Sequence, residues 1–472
     1  MSDSKAKDTD AEITEKTKKS SPKKKPTEDV ISLDLALSES HISLEPSDEG
    51  AARLALVEGT YGVFSPRKIS GSEKLISYEI PIEHKVFTDI QTIVTISELT
   101  SDVTVMSKNN LGEEVVPTTT QVVAKKDISN AVRLSMMSHM EKLLDFGTNK
   151  YNEENARLVK LQDEKVEKFF KKNTDPVAVL HEPVLADAIY QKTKGVSNSK
   201  LNKIDESYAH YEQSLREPWS PSTAAKKGLA LHCLLFTPDL FEESYIVNDS
   251  AASGASNEGK FRNSRLELLS IGKTILTSSE YSNAMAGKAS FLRHPLAPLL
   301  LKESSMEESF YAMVENFLYR GRIDCYILNP SKSLRSALEL YDVFVEENEA
   351  VVWDLKFMAD NNDNEDKISG KIIDFGYHRQ GAGYCSLVER TFGKKAVFVL
   401  VTVESSAPYD VSPFRLDEAF MELGSIELSR LLTKFKAHLD NPGLYKGRVA
   451  GVKTISPPHW YMQKVGNKLN QG

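Results

Sequence analysis

Val351-Val352-Trp353-Asp354-Leu355-Lys356 is an apolar, β-rich run interrupted by one acid and one base. In a strand, alternate residues share a face, so Asp354 and Lys356 point one way while Trp353 and Leu355 point the other. An acid and a lysine on an otherwise apolar strand are costly to bury unless they are paired or hold an ion. A carboxylate that holds a hard cation, beside an ammonium that orients or polarises water, suits hydrolysis of a phosphodiester. Alone, a D-x-K pair is a common chance match, and an ordinary exposed ion pair accounts for most of them.

Upstream, Arg320-Gly321-Arg322-Ile323-Asp324-Cys325-Tyr326-Ile327 is also strand-like. Another strand is expected over Tyr341–Glu346, between the two in sequence. Asp324 would then lie near Asp354 in one sheet. Two converging carboxylates repel each other unless a cation sits between them. Mg²⁺ needs few protein oxygens and keeps several waters, so two such acids, a main-chain carbonyl and one more side chain would suffice. His232 lies in the apolar helical run Gly228-Leu229-Ala230-Leu231-His232-Cys233-Leu234-Leu235; a lone histidine in such a run is more often a satisfied core residue than a ligand. Tyr377, Gln380 and Tyr384 share one helical face at i, i+3 and i+7. An aromatic stripe of this kind is ordinary core packing, but Gln380 on it is harder to explain that way.

Around these motifs we expect a helix over Ser199–Leu215, a break at Pro218-Trp219-Ser220-Pro221 and a helix through His232. Two hairpin-like β pairs, a helix over Ile372–Glu389, a buried strand at Ala396–Val403 and a long helix over Leu416–Leu439 follow. Strands alternating with helices in this way predict an α/β fold, a mixed central sheet flanked by helices. This unit is assigned to residues 190–472. Residues 51–126 read as a small β-containing domain, with strand patterns at Tyr78–Ile82, Ile90–Ile96, Val103–Met106 and Gln121–Ala124. Residues 127–189 read as a helical connector, one helix or a pair. Residues 1–50 are polar, mixed in charge and without aromatics, and are expected to be disordered.

Across the 472 residues, 40% are hydrophobic and 27% charged, the composition of a soluble protein with a sizeable core. The net charge of −8 argues against a generally basic surface, yet one basic channel on an acidic body is enough for a DNA enzyme. After Asp440 the chain has no acid, while Lys446, Arg448, Lys453, Lys464 and Lys468 are basic, either a solvated tail or a contact to a DNA backbone. Cys233, Cys325 and Cys385 match no zinc or disulfide spacing and fit a reducing compartment. No apolar run is long enough for a membrane span, and the N-terminus has no apolar signal core, so a cytoplasmic location is expected.

The motifs occur in one order: histidine helix, Arg-x-Asp strand, Asp-x-Lys strand, Gln-x-x-x-Tyr helix. This order resembles the RecB-type branch of the PD-(D/E)xK (restriction-endonuclease-like) nucleases, and within it the RecE-type exonucleases (exodeoxyribonuclease VIII). Val196–Leu201 followed by Ser207–Tyr211 resembles that family's opening helix. Gly228–His232 followed by Thr237-Pro238-Asp239-Leu240-Phe241 resembles its G-T-A-x-H and E-P-x-x-F pattern. Arg293-His294-Pro295 with Glu308-Ser309-Phe310-Tyr311, and the closing Ser456-Pro457-Pro458-His459-Trp460, also fit.

The resemblance implies a Mg²⁺-dependent exonuclease, with Mn²⁺ as a substitute. It would act on double-stranded DNA ends 5′ to 3′ as a homo-oligomeric ring, in a bacterial or phage-infected cell, with a single-strand annealing protein as partner. It implies metal binding by His232, Asp324, Asp354 and the Leu355 carbonyl, and a water-positioning role for Lys356. Glu308 would be a water-mediated ligand or a structural acid. Gln380 and Tyr384 would contact DNA or brace the site, and Tyr377, Arg322, Ser199 and Lys200 would meet DNA. The chain departs from the family in having Arg-Ile-Asp for Arg-Pro-Asp, Leu229 where threonine is usual, and thirty positions between Asp324 and Asp354. The extra Asn329–Glu339 segment is expected as a loop or short helix at the site's edge. The competing readings are a RecB-like nuclease on single strands, an inactive nuclease fold that binds DNA or serves as a scaffold, and an N-terminal interaction module with the nuclease as accessory. Three scattered cysteines exclude the iron–sulfur form of the first.

Overall fold

The computed structural model describes residues 67–441, except 72–74, 81, 83, 98, 101, 123–127, 218–219, 249–256 and 360–364, together with 456–457 and 462–463. The expectations for residues 1–50, for the basic residues after Asp440 and for Pro458–Trp460 lie outside the described residues.

Five strands open the described chain: β1 (Arg67–Gly71), β2 (Leu75–Ile80), β3 (Ile90–Ser97), β4 (Asp102–Asn109) and β5 (Glu114–Val122). They form one antiparallel sheet in sequence order. The alternation of β3 and β4 buries Val94, Ile96, Val103 and Val105 on one face. Helix α1 (Ile128–Lys172) packs on β4 and β5. It is a single helix of 45 residues, not a pair. Its His139 reaches the sheet through Ser107 Oγ at 2.9 Å, and further along Val166 packs with Tyr190 and Tyr311.

The second sheet holds the site. Its strands are β6 (Val179–Glu182), β9 (Ser305–Val314), β10 (Phe317–Ile327), β11 (Ala350–Met358), β12 (Ala396–Glu404) and β13 (Val411–Arg415), ordered β13-β12-β11-β10-β9-β6. A separate parallel pair joins β7 (Tyr245–Asn248) and β8 (Thr274–Thr277). Besides two single helical turns (Asp187–Tyr190 and Phe241–Ser244), the later helices are α2 (Asn198–Glu206), α3 (Tyr208–Arg216), α4 (Thr223–Phe236), α5 (Asn257–Leu269), α6 (Ser278–Arg293), α7 (Ala297–Glu303), α8 (Lys332–Glu339), α9 (Glu365–Phe375), α10 (Tyr377–Phe392) and α11 (Glu418–Asp440). Strands β11 and β12 are parallel, so the chain must cross over between them, and it does so through α9 and α10.

The apolar residues of β11 are buried on both faces. Val351, Trp353 and Leu355 join the core built with α4, α6 and α7. Ala350 and Val352 join the opposite core, built with α2, α3, α9, α10 and α11. Asp354 follows the parity of Val352, so it faces the α10 side.

Several expected elements differ. The Tyr341–Glu346 segment is not a strand. Its alternating Tyr341, Val343 and Val345 pack on the core from a loop that has no strand partner. The expected Ser199–Leu215 helix is two helices broken at Ser207, and the Ile372–Glu389 helix divides at Gly376. Gly376 has φ +68, and a Cβ there would press on the Arg379 guanidinium, so glycine is needed at this corner. The Asn329–Glu339 insertion forms α8, whose Leu334 and Leu338 join the core. It connects the end of the β10–β11 ladder marked by Ile327↔Val351, on the far side of that ladder from Asp324 and Asp354, not at the site's edge.

The boundary at residue 190 is also corrected. Strand β6 lies inside the assigned connector but pairs with β9 from Val179↔Ala312 to Glu182↔Ser309. Its His181 ring stacks on Phe310 at 4.4 Å. Removing β6 would bare the β9 edge and its unpaired backbone groups. A fragment starting at residue 186 should melt at a lower temperature and aggregate more than one starting at residue 174. Scanning calorimetry of the two decides it, and equal midpoints would show that β6 is dispensable.

Candidate active site

The β9–β10 hairpin turns through Glu315 and Asn316, at φ 50 and φ 64. Two consecutive positive φ values make the two-residue type I′ turn that fixes hairpin register. Pairing therefore runs from Phe317↔Val314 to Tyr326↔Ser305, which sets Glu307 opposite Asp324. That one pair is missing from the ladder, and Glu307 has φ 56. A left-handed glutamate inside a strand is locally strained, and such strain collects at functional positions.

On the other side of β10, pairing with β11 runs from Ile327↔Val351 to Cys325↔Trp353 and stops. Asp324 and Asp354 come next, where the two strands part. Beyond the fork β11 stays paired with β12 to Met358, and β10 stays paired with β9. The vacated edge of β10 is met by Val196, bridged to Tyr319. Glu307, Asp324 and Asp354 thus stand side by side on three adjacent strands.

Cationic and polar groups surround these acids. Lys356 Nζ lies 2.5 Å from Asp354 Oδ2 and 4.0 Å from Asp324 Oδ2. Gln380 Nε2 donates to Asp354 Oδ1 at 2.9 Å and to the Tyr384 hydroxyl at 3.1 Å. From α4, His232 Nε2 donates to the Leu355 carbonyl at 2.7 Å. Its Nδ1 therefore faces the acids, 3.5 Å from Asp324 Oδ2 and 3.9 Å from Glu307 Oε1. Asp324 Oδ2 is buried and accepts no hydrogen bond. One ligand atom from each of His232, Glu307 and Asp324 lies within 4.8 Å of the others. This hard-oxygen and imidazole donor set, with an orphaned carboxylate oxygen in its midst, fits a divalent cation.

The electrostatics agree with the crowding. Burial, and then the Asp354 carboxylate, push the Asp324 pKa up to about 8, against the pull of His232 and Lys356. Burial pulls His232 down, but Asp324 and Glu307 outweigh it and raise it to about 9. Burial pushes Glu307 up, and His232 and Arg322 more than reverse this, holding it below the usual carboxylate range. Burial pulls Lys356 down, while Asp354 and Asp324 raise it above an ordinary lysine, so it is an ammonium here.

Six expected site residues therefore meet: His232, Asp324, Asp354, Leu355 (through its carbonyl), Lys356 and Gln380. Tyr377 borders them, its ring 5.3 Å from Lys356 Nζ. Tyr384 is buried, so it braces Gln380 and offers no surface to DNA. Glu308 is corrected: its carboxylate is engaged away from the acids, where it accepts from Tyr326 Oη at 2.5 Å and pairs with His181 Nε2 at 2.5 Å. Glu307 stands where Glu308 was expected. Arg322 is also corrected, because its guanidinium is committed to Glu307 at 2.9 Å, the Leu185 carbonyl at 2.7 Å and Ser309 Oγ at 3.1 Å. Ser199 is exposed on the first turn of α2, and Lys200 Nζ donates to the Gly195 carbonyl at 3.1 Å. Neither has a recorded contact with the acids. Glu307 was missed, although the Glu315-Asn316 turn between two β runs carries the register that finds it.

The raised Asp324 pKa has a consequence for metal-free protein. An acid whose folded pKa lies above its unfolded value of 3.8 favours the fold at low pH, and that contribution is lost as pH climbs to about 8. Asp324→Asn removes the loss. In chelator at about pH 9 the variant should melt higher than the unaltered protein, with the gain shrinking toward about pH 4. A lower midpoint for the variant at the high pH would mean that ionised Asp324 is net stabilising.

Residues 340–442 match a family model described as a PDDEXK-like domain of unknown function (DUF3799). No curated protein matches the chain. Among solved structures, a protein from Eubacterium rectale described as a "putative exonuclease" aligns with a TM-score of 0.39 and 12% identity, over 60% of this chain and 98% of that one. The matched residues contain the Asp354–Lys356 strand, the Gln380 helix and the parallel partner strand β12. Within this α/β unit, a mixed sheet flanked by helices, it is residues 340–442 that are similar to a PDDEXK-like domain.

Proposed function

We propose that the protein is a divalent-metal-dependent nuclease acting on DNA ends, an exonuclease of the RecE-like type. One observation carries the reading: Asp324, Asp354 and Glu307 converge at the fork of β10 and β11 with Lys356 between two of them. An ordinary ion pair would need one acid and one base. Three acids on neighbouring strands, with a buried Asp324 oxygen that accepts no hydrogen bond, call for a cation.

Mg²⁺ or Mn²⁺ would be held by Asp324, Glu307 and His232, with Asp354 as the remaining carboxylate and the second lone pair of the Leu355 carbonyl available. Once bound, such an ion supplies Lewis acidity toward a phosphoryl oxygen and lowers the pKa of water. The chain's own groups do the rest. Lys356 donates to the attacking water or to a phosphate oxygen and offsets the negative charge that builds in the transition state. Gln380 fixes the Asp354 carboxylate through Oδ1 and is itself braced by Tyr384. The His232–Leu355 hydrogen bond selects the tautomer that turns Nδ1 to the acids. Recognition through phosphates makes cleavage largely independent of sequence.

Strand polarity 5′ to 3′, an enclosing homo-oligomer, a single-strand annealing partner and a recombination role remain part of this proposal on the motif resemblance alone. The single-strand RecB-like alternative shares the same centre, and substrate choice separates them.

The test is digestion of blunt linear duplex, single strand and closed circular duplex with Mg²⁺. Linear duplex should be consumed and the closed circle spared. Asp324→Ala and Asp354→Ala should each abolish cleavage while the fold persists, and Ca²⁺ should support binding with little cleavage. Full digestion by either variant, or undiminished cleavage in excess chelator, would contradict the reading.

Lys356→Ala should lower single-turnover cleavage by about 10² to 10³-fold and leave duplex affinity within a few-fold, since it is one charge among many that phosphates meet. Lys356→Arg should not restore turnover, because a planar guanidinium does not replace a compact ammonium. Equal losses in binding and turnover, or none in either, would remove Lys356 from the chemistry.

A further inference from the structure

We propose that Phe375 and Tyr377 form a stacking platform for a base of the DNA strand being cut. The proposal rests on the nuclease reading above and adds a base-side contact to a centre so far described only through phosphate chemistry.

Phe375 is the last residue of α9 and is 53% exposed. Its ring lies 5.5 Å from the Tyr377 ring at 26°, an offset stack. The Tyr377 ring in turn lies 5.3 Å from Lys356 Nζ. The pair therefore runs from the ammonium outward to solvent. A nucleotide places its base one sugar away from its phosphate, so a strand whose phosphate meets Lys356 brings a base toward these rings.

The platform is held firmly. Gly376, in the left-handed region, makes the corner between α9 and α10, with Arg379 lying against it. Arg379 is fixed by Glu427 Oε2 at 2.7 Å and Asn202 Oδ1 at 2.7 Å. Asn202 Nδ2 donates back to the Phe375 carbonyl at 3.2 Å, and Asn198 Nδ2 lies 3.5 Å from the Gly376 carbonyl. Helix α2 thus clamps the two residues that carry and follow the aromatic side chain. Phe375 belongs to neither core, so its ring is not required for packing. A fixed, exposed ring that continues a stack from the candidate catalytic lysine suits base stacking. Every base has a π-face, so such a contact adds affinity without sequence preference.

The test uses the full chain and linear duplexes with 2-aminopurine at each terminal position in turn. Binding is read in Ca²⁺ as quenching of its fluorescence, and cleavage in Mg²⁺ as KM and kcat. At one terminal position the unaltered protein should quench strongly. Phe375→Ala should lose that quenching and raise KM by about 5- to 150-fold, the equivalent of about 1–3 kcal/mol per stacked base, while kcat changes little. Phe375→Trp should restore both. Retained quenching and KM in Phe375→Ala would overturn the platform, as would a loss that Phe375→Trp fails to rescue, because a merely structural role predicts it. If the unaltered protein quenches but cleaves no DNA, and Phe375→Ala abolishes the quenching, the platform stands and the nuclease reading falls. Cleavage without quenching at any position does the reverse. Neither signal overturns both.

Discussion

Three carboxylates at one fork of the sheet are the constraint on which the rest of the site depends. Glu307, Asp324 and Asp354 arrive on β9, β10 and β11, and the β10–β11 ladder ends at the residue pair before them. Like charges this close are unfavourable in a poorly solvated place. The fold answers with Arg322 on Glu307, Lys356 on Asp354 and His232 facing Asp324, yet the faced Asp324 oxygen still accepts no hydrogen bond. Burial and then the Asp354 carboxylate raise the Asp324 pKa, and Asp324 and Glu307 raise that of His232 against its burial.

The surrounding architecture serves to hold that crowding in place. β11 is packed on both faces, so its acid and lysine cannot turn away. On one side α4 brings the His232 ring to the Leu355 carbonyl, and on the other α10 brings Gln380 to Asp354. The glycine corner at Gly376 sets where α10 begins and leaves Phe375 projecting beside Tyr377. The Gln380 brace and the exposed aromatic pair both belong to the one crossover from β11 to β12.

What could be read from sequence was what local pattern dictates. The Asp354–Lys356 strand declared itself because an acid and a base in an apolar run have few reasons to be there. His232 and Gln380 were found through motif order, and both meet the acids. Alternation misled at Tyr341–Glu346, where core packing from a loop imitates a strand's period. It was also undecided at Glu307-Glu308, since two adjacent acids occupy both faces and only the hairpin register, set by Glu315 and Asn316, says which faces Asp324. Strand β6 is four residues long, too short for a pattern, and its place is fixed by pairing with a strand about 130 positions downstream. Arg322 looked like a DNA contact because sequence shows its charge but not its partner, Glu307.

The central claim is that the acid cluster is a divalent-metal site, and calorimetric titration of Mn²⁺ into metal-free protein at near-neutral pH tests it most directly. Burial and the neighbouring acid raise the Asp324 pKa, and the acids raise that of His232, so the cluster holds a shared proton that ligation requires it to shed. Run in buffers of different ionisation heat, the titration should show binding with net proton release, and no binding in Asp324→Ala. Binding that survives unchanged in Asp324→Ala, or no binding by the unaltered protein, would contradict the account.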